Sequence, residues 1–361
     1  GEIEDGGLVT VVDFRGRYMG TGFYNSKSLI TVRLLTHRQE EITDELIASR
    51  VKAACDYRRF VMNRPGTDSC RLIYGEADRL PGVIADRFGG VIVLQVLALG
   101  MERFTQTIAD ALLACEKPDC LLLQNDDAIR RKEGMECFTR VLYGTLPEEN
   151  IIHENGVKLA VDVLGGQKTG YFLDQKDNHL FVRQFCKDAR VLDCFSYIGA
   201  FALNAAAAGA KEVTAVDISE AAVQLIEKNA ALNGADITAV CANCFDFLRA
   251  QVKAGEKYDV VVLDPPAFTK AHANMASACR GYKEIALSAM RLLPAGGVLA
   301  THSCSYHMPE EVFVNTVLSA AQDLHRQVRV ITLRRQDIDH PVLAGYPESH
   351  YLKSLWLQML D

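Results

Sequence analysis

Residues 190–217, R-V-L-D-C-F-S-Y-I-G-A-F-A-L-N-A-A-A-A-G-A-K-E-V-T-A-V-D, decide how the chain is read. Val191–Cys194 is a short apolar run of the kind that forms a parallel strand buried on both faces. Phe195–Gly199 supplies a turn. Ala200–Ala208 is rich in alanine, the strongest helix former, and Gly209 can end that helix in a left-handed conformation. Glu212–Asp217 reads as a second strand finishing in a carboxylate. Strand, turn, helix and a strand tipped by an acid is an arrangement that holds nucleoside-containing cofactors. Asp217 follows Gly199 at close to the spacing at which such an acid meets ribose hydroxyls. The same pattern would also suit an α/β unit whose Asp merely caps its second helix.

Downstream the alternation continues. Ile237–Cys241, Tyr258–Asp264, Gly297–Thr301, Val328–Leu333 and Tyr351–Leu360 read as strands. Ala221–Leu232, Phe245–Val252, Tyr282–Leu293 and Glu310–Leu324 read as the helices between them. The expected fold is α/β, a mainly parallel sheet with helices on both faces. The long last strand, after a Pro-containing segment, suits an added edge or antiparallel position.

Upstream, residues 2–36 read as a small β module with strands at Val9–Val12, Tyr18–Tyr24 and Leu29–Leu35. Arg15, Arg17, Lys27 and Arg33 would form a basic rim there, or ordinary surface charge. Ile42–Met62 has helical spacing. Arg58, Arg59, Arg64 and Arg71 follow as a cluster able to touch phosphate or to flank a domain boundary. Residues 71–163 alternate strands with the amphipathic segment Glu102–Cys115, an α+β pattern without a catalytic constellation.

At 361 residues with nearly half of them apolar, the chain can hold two or three domains. No apolar run reaches the length of a membrane-spanning helix, and no signal peptide is visible. Gly1 is not a native start, so the N-terminal module is expected to be incomplete or to carry an added residue. Eleven scattered cysteines do not form a secreted disulfide framework; they suit reduced thiols in the cytoplasm. The net charge of −7 argues against indiscriminate nucleic-acid binding.

Three strand ends carry candidate chemistry. Asp264-Pro265-Pro266-Ala267-Phe268 ends the fourth strand of the series with a turn stiffened by two prolines, at the sheet edge where ligands bind. Thr301-His302-Ser303-Cys304-Ser305 ends the fifth. Cys304 would face the same cleft, as a nucleophile if its thiolate is favoured or as a small core residue. His302 and His307 are better read as core or surface histidines than as acid–base groups. Cys241-Ala242-Asn243-Cys244 is a coincidental C-x-x-C without the second pair that zinc requires, and no metal is expected. The first turn holds one glycine rather than G-x-G-x-x-G, which argues against a pyrophosphate and favours S-adenosylmethionine.

K-T-G-Y-F-L-D-Q-K-D-N, L-D-C-F-S-Y-I-G-A-F, V-D-I-S, L-D-P-P-A-F, C-R-G-Y-K-E-I and S-C-S together resemble the RlmI-like class I methyltransferases, which form 5-methylcytosine in large-subunit ribosomal RNA. G-E-A-D-R-L-P-G-V-I-A-D-R-F-G, R-K-E-G-M-E and H-P-V-L-A-G-Y-P-E-S-H-Y-L-K extend the resemblance over nearly the whole chain. It implies a PUA-like RNA-binding domain (1–40), a connecting helix (41–68), an EEHEE-type α+β domain (69–165) and a Rossmann-like methyltransferase domain (166–361). It implies S-adenosylmethionine as cofactor, ribosomal RNA as partner and no membrane, and is compatible with a homodimer. By motif, Asp193, Phe195, Ser196, Tyr197 and Gly199 line the cofactor pocket, Asp217 binds ribose and Asn243, where the family commonly has Asp, meets adenine. Lys168, Tyr171, Phe172, Asp174, Gln175, Ile218, Cys244, Phe245, Asp264 and Pro265 complete the expected lining. Asp264 and Cys304 are the implied catalytic pair. Ala267 stands where some 5-methylcytosine enzymes have a second Cys, which leaves the proton-removing base unassigned. The alternatives are methylation of a base nitrogen such as guanine's, and a non-catalytic RNA-binding protein on the same scaffold.

Overall fold

The computed structural model describes residues 3–268 and 274–361; Gly1, and with it the question of the native start, lies outside them. The chain forms two compact units. One comprises Gly1–His153, Val161–Leu173 and Ile338–Ser349; the other comprises Glu154–Ala160, Asp174–Asp337 and His350–Asp361.

In the first unit β1 (Leu8–Val12), β2 (Tyr18–Tyr24) and β3 (Val32–Thr36) form an antiparallel sheet. The third strand starts later than its apolar run, because residues 28–31 turn: Ser28 Oγ accepts the Ile30 N–H and Asn25 N–H bonds to the Thr31 carbonyl. Helix α1 (Asp44–Val61) is N-capped by Thr43, which accepts the Leu46 N–H. Strands β4 (Ser69–Tyr74), β5 (Val83–Phe88), β6 (Val91–Val96), β7 (Cys120–Asn125) and β8 (Phe138–Gly144) make a five-stranded sheet in sequence order. Helix α2 (Thr105–Glu116) provides the crossover between the parallel pair β6 and β7, and the short α3 (Ala128–Lys132) follows β7. One apolar cluster runs through Phe23, Leu35, Ile47, Leu72, Leu94, Ile108 and Leu123, so the N-terminal sheet, α1 and the second sheet share a core.

The basic residues of this unit are largely spoken for. Arg17 pairs with Asp13 at 2.6 Å, and Arg33 with Glu133 at 3.0 Å and Glu76 at 3.4 Å. Arg58 is buried on Asp78 at 2.6 Å, and Arg59 lies on Asp56 and Glu116. Arg71 grips Asp86 through two bonds of 2.8 and 2.7 Å, and Thr169 also donates to Asp86. The expected phosphate-touching cluster is therefore, at Arg58, Arg59 and Arg71, a set of internal ion pairs.

Two short strands follow in sequence, β9 (Ile151–Glu154) and β10 (Val157–Ala160). The second unit continues with α4 (Lys176–Val182), β11 (Arg190–Cys194), α5 (Ala200–Ala207), β12 (Glu212–Asp217), α6 (Glu220–Asn233), β13 (Thr238–Cys241), α7 (Cys244–Ala254) and β14 (Val260–Leu263). It closes with α8 (Met275–Leu292), β15 (Val298–Ser303), α9 (Glu310–Asp323), β16 (Val328–Arg334) and β17 (Lys353–Met359). The sheet order is β13-β12-β11-β14-β15-β17-β16, parallel through β15. The last strand is antiparallel, as its position suggested, but it is not at the edge. It lies between β15 and β16. Hydropathy explains this: β17, K-S-L-W-L-Q-M, is buried almost throughout, whereas β16, V-R-V-I-T-L-R, keeps exposed positions and takes the edge. Apolar residues pack on both faces. Leu192, Val261, Leu263 and Leu299 meet α7, α8 and α9 on one side, while Val191, Val260, Val262, Ala300 and Trp356 meet α4 and α5 on the other. Strand order reverses between β11 and β14, the point at which open α/β sheets hold their ligands.

Candidate active site

The turn after β11 is tightly wound. Phe195, Tyr197 and Gly199 all have positive φ, at 63°, 51° and 87°. Glycine takes this conformation freely, but two bulky aromatic residues there store strain of about 1–3 kcal/mol each. Neighbouring elements hold the turn in place. Tyr197 N–H bonds to Asp217 Oδ2 at 2.9 Å, Ser196 N–H to the Val216 carbonyl at 3.1 Å, and Phe195 N–H to Cys244 Sγ at 3.3 Å. Asp217 also accepts the Ser219 N–H at 2.9 Å. The carboxylate tipping β12 thus shapes this turn and keeps lone pairs for further donors.

Asp193, one residue before the end of β11, is fully buried. Its Oδ2 accepts Ser196 Oγ–H at 2.5 Å and the Ala202 N–H at 3.2 Å, while Oδ1 has no hydrogen-bond partner among the described residues. Burial pushes its carboxyl up to about 7. Asp264 follows β14, the adjacent strand, and alternation along the strands puts it on the same sheet face as Asp193. Burial first, then the negative charge of Asp174, raises Asp264 to about 7, with Gln175 and His179 beside it. Asp174 is buried, takes a hydrogen bond from Tyr351 and passes its carbonyl to the Asp337 N–H. His179 is anchored by Glu154 at 2.6 Å and rests edge-on against Phe201.

Cys304 lies in the loop just past the end of β15, the strand next to β14 in the sheet. Its loop is tied to α8. Tyr282 on α8 shares hydrogen bonds with Ser303 Oγ at 2.9 Å and Ser305 Oγ at 3.4 Å, and with the Phe268 main chain. One phenol therefore couples the D-P-P-A-F turn to the loop carrying the thiol. Rings in sequence, Phe195, Phe245, Phe268, Tyr282 and Phe313, pack at 4.7–6.3 Å between centroids and run from the 195–199 turn to that loop. His302 is wholly buried between Phe201 and Trp356, and burial drives its imidazole down to about 3. It is a neutral core residue, as expected.

The remaining candidates divide. Ile218 is 69 % exposed at the end of β12, a surface on which a planar base can rest. Asn243 N-caps α7, its Oδ1 accepting the Phe245 N–H at 2.9 Å and the Asp246 N–H at 3.4 Å. An adenine amine would have to share that oxygen. Cys244 turns its thiol inward to the Val216 carbonyl, leaving only its main chain outward, and Cys241 bonds separately to Ile218. Pro265 is buried and Phe245 partly so. Lys168, Tyr171 and Phe172 belong to the first unit, with Lys168 Nζ 4.8 Å over the Phe172 ring. Tyr282, His179 and Lys353 were not singled out from the sequence, although Tyr282 and Lys353 lie within C-R-G-Y-K-E-I and H-P-V-L-A-G-Y-P-E-S-H-Y-L-K.

These residues fit S-adenosylmethionine. The orphaned, buried Oδ1 of Asp193 is an acceptor suited to the ammonium of its methionine part, the strained turn admits close main-chain approach, and Asp217 and Ile218 suit a ribose and a base. Among the described residues no group of three His, Cys, Asp or Glu side chains could hold a metal, and no helix is long and apolar enough to cross a membrane.

The sequence profile of the S-adenosylmethionine-dependent methyltransferases matches residues 92–336, and that of a PUA-like domain matches residues 1–37. The ribosomal RNA large subunit methyltransferase I of Klebsiella pneumoniae (strain 342) is 43 % identical over 98 % of this chain and 90 % of its own length. The protein of that name from Salmonella enteritidis PT4 is 41 % identical over 98 % and 89 %. A SAM-dependent methyltransferase structure from Streptococcus mutans shares the fold, with a TM-score of 0.85 at 20 % identity, covering 99 % of this chain and 93 % of that one. The methyltransferase structure SMU.776, solved with SAH, has a TM-score of 0.86 at 20 % identity, covering 98 % and 92 %. The profile, the overall identity and the acid-tipped strands around a wound turn agree: the chain belongs to the S-adenosylmethionine-dependent methyltransferases, among the ribosomal RNA large subunit methyltransferase I enzymes.

Proposed function

We propose that this enzyme forms 5-methylcytosine in large-subunit ribosomal RNA through a covalent adduct at Cys304. The observation that carries the reading is the placement of Cys304 and Asp264 after adjacent strands, coupled through Tyr282. When bound, S-adenosylmethionine supplies an electrophilic methyl group on a sulfonium. Carbon 5 of cytosine is a weak nucleophile. The Cys304 thiolate adds to carbon 6, making carbon 5 enamine-like and able to take the methyl group. Asp264, whose carboxyl is raised to about 7 so that part of it stays protonated at neutral pH, donates to the pyrimidine edge and supports the charge that develops there. Loss of the carbon-5 proton and departure of the thiolate restore the ring. The target base must leave its stack to reach the pocket, which suits loop or single-stranded RNA.

Asp193, Ser196 and the 195–199 turn would hold the methionine part of the cofactor, Asp217 its ribose, and Ile218 and Asn243 its base. The four-part division at 40, 68 and 165 is proposed with it, residues 1–40 serving RNA binding. The setting is the cytoplasm, the partner is ribosomal RNA, and a second copy of the chain is the partner expected of a homodimer. Replacing Cys304 with Ala should lower methyl transfer to ribosomal RNA at least 10³-fold, assayed as 5-methylcytidine by nucleoside mass spectrometry. Unchanged turnover would overturn the covalent route and favour attack by a base nitrogen.

A further inference from the structure

The geometry points to Lys353 as a positioning residue for Cys304, its buried ammonium holding the loop that carries the thiol and favouring the thiolate. This rests on the covalent reading of Cys304.

Lys353 opens β17 and pairs across the sheet with Ser303, the residue before the thiol. It is 3 % exposed. Its Nζ donates to the Ser305 carbonyl at 2.6 Å and to the Met308 carbonyl at 2.9 Å, bracketing the loop just past Cys304. A buried ammonium normally lies against a carboxylate, because neutral carbonyls do not cancel its charge. Among the described residues Lys353 has no carboxylate within ion-pair distance. The groups that feel its charge are Cys304, Glu310 at the start of α9, and His350, which is itself influenced by Arg335. Burial brings Lys353 down to about 8, while Cys304 and Glu310 work to keep it charged. That influence is mutual. A cation that a thiolate stabilises stabilises the thiolate equally. Tyr282, which bonds to the same loop through Ser303 and Ser305, is itself pushed up by burial and stays a neutral hydrogen-bonding group. The loop thus has a neutral tether on α8 and a charged one on β17. A lysine serving only as a latch would hold the same two carbonyls without altering the thiol.

The experiment is timed alkylation of the full-length enzyme with iodoacetamide from pH 5.5 to 9.5, reading the Cys304 peptide by mass spectrometry. In the wild type the Cys304 inflection should fall below the ordinary thiol value of about 8.5. Lys353→Met should raise it by about one unit or more and slow alkylation at pH 7 about tenfold. Lys353→Arg, which keeps the charge, should restore most of the rate. In methyl transfer, Lys353→Met should lower kcat and leave KM for RNA nearly unchanged. An ordinary wild-type inflection would overturn the proposal without recourse to any variant, and so would an inflection unmoved in folded Lys353→Met. Because alkylation does not involve methyl transfer, it reads this coupling separately from the Cys304→Ala turnover that tests the covalent route.

Discussion

Asp264 carries the most pH-sensitive part of the site. Its carboxyl rises from an ordinary 3.8 to about 7, through burial first and the Asp174 charge second, and Asp193 rises likewise. A folded-state pKa raised in this way means that the folded chain holds the proton more tightly than the unfolded one. The associated stability is complete below about pH 4 and is lost as pH climbs through 7. The urea midpoint of the unliganded enzyme should therefore fall between pH 5 and pH 8, and Asp264→Asn should remove part of that slope. A midpoint equally steep in the variant would contradict this assignment. In turnover, Asp264→Asn should reduce kcat by about 10²-fold or more, the usual scale for a lost acid or charge-stabilising donor. Other thiols make a useful contrast: burial alone takes Cys186 up to about 12, which leaves it inert.

The elements show what could be read from residues alone. β12 runs over Glu212–Asp217 and β7 over Cys120–Asn125, as their apolar runs indicate, and α6, α7 and α9 lie within a residue or two of their periodic spans. The strand-end placement of Asp193, Asp217, Asp264 and Cys304 was legible, because the strands of such a sheet end along one edge. Asn243 was legible as a strand-end polar residue but not as a helix cap, since the capping bonds depend on where α7 begins. Lys353 was hidden because its partners are carbonyls, which leave no mark in a sequence. The arginines show the same limit from the other side. A cluster such as Arg58, Arg59 and Arg71 looks like a phosphate site until Asp78, Glu116 and Asp86 arrive from other elements and Asp56 from the same helix turn. Arg71→Met, which leaves Asp86 buried and without its guanidinium, should destabilise the enzyme by about 3–5 kcal/mol in urea unfolding. A loss under 1 kcal/mol would mean that Thr169 alone suffices for Asp86.

At the scale of the molecule, each of the two units is assembled from three separate stretches of chain, so neither can be cut out as one continuous fragment. The sheet adds a further constraint, since its sixth position is filled by the last strand in sequence, Lys353–Met359, with the only tryptophan, Trp356, at its centre. Until that strand arrives, β15 and β16 have unpaired edges facing each other. The consequence belongs to biosynthesis. While the ribosome is still translating residues beyond 350, the nascent sheet holds an open slot lined with Leu, Ala and Val, a temporary hazard for aggregation. The strand that fills the slot also brings in Lys353, so the loop carrying Cys304 would receive its charged tether only after β17 has been made.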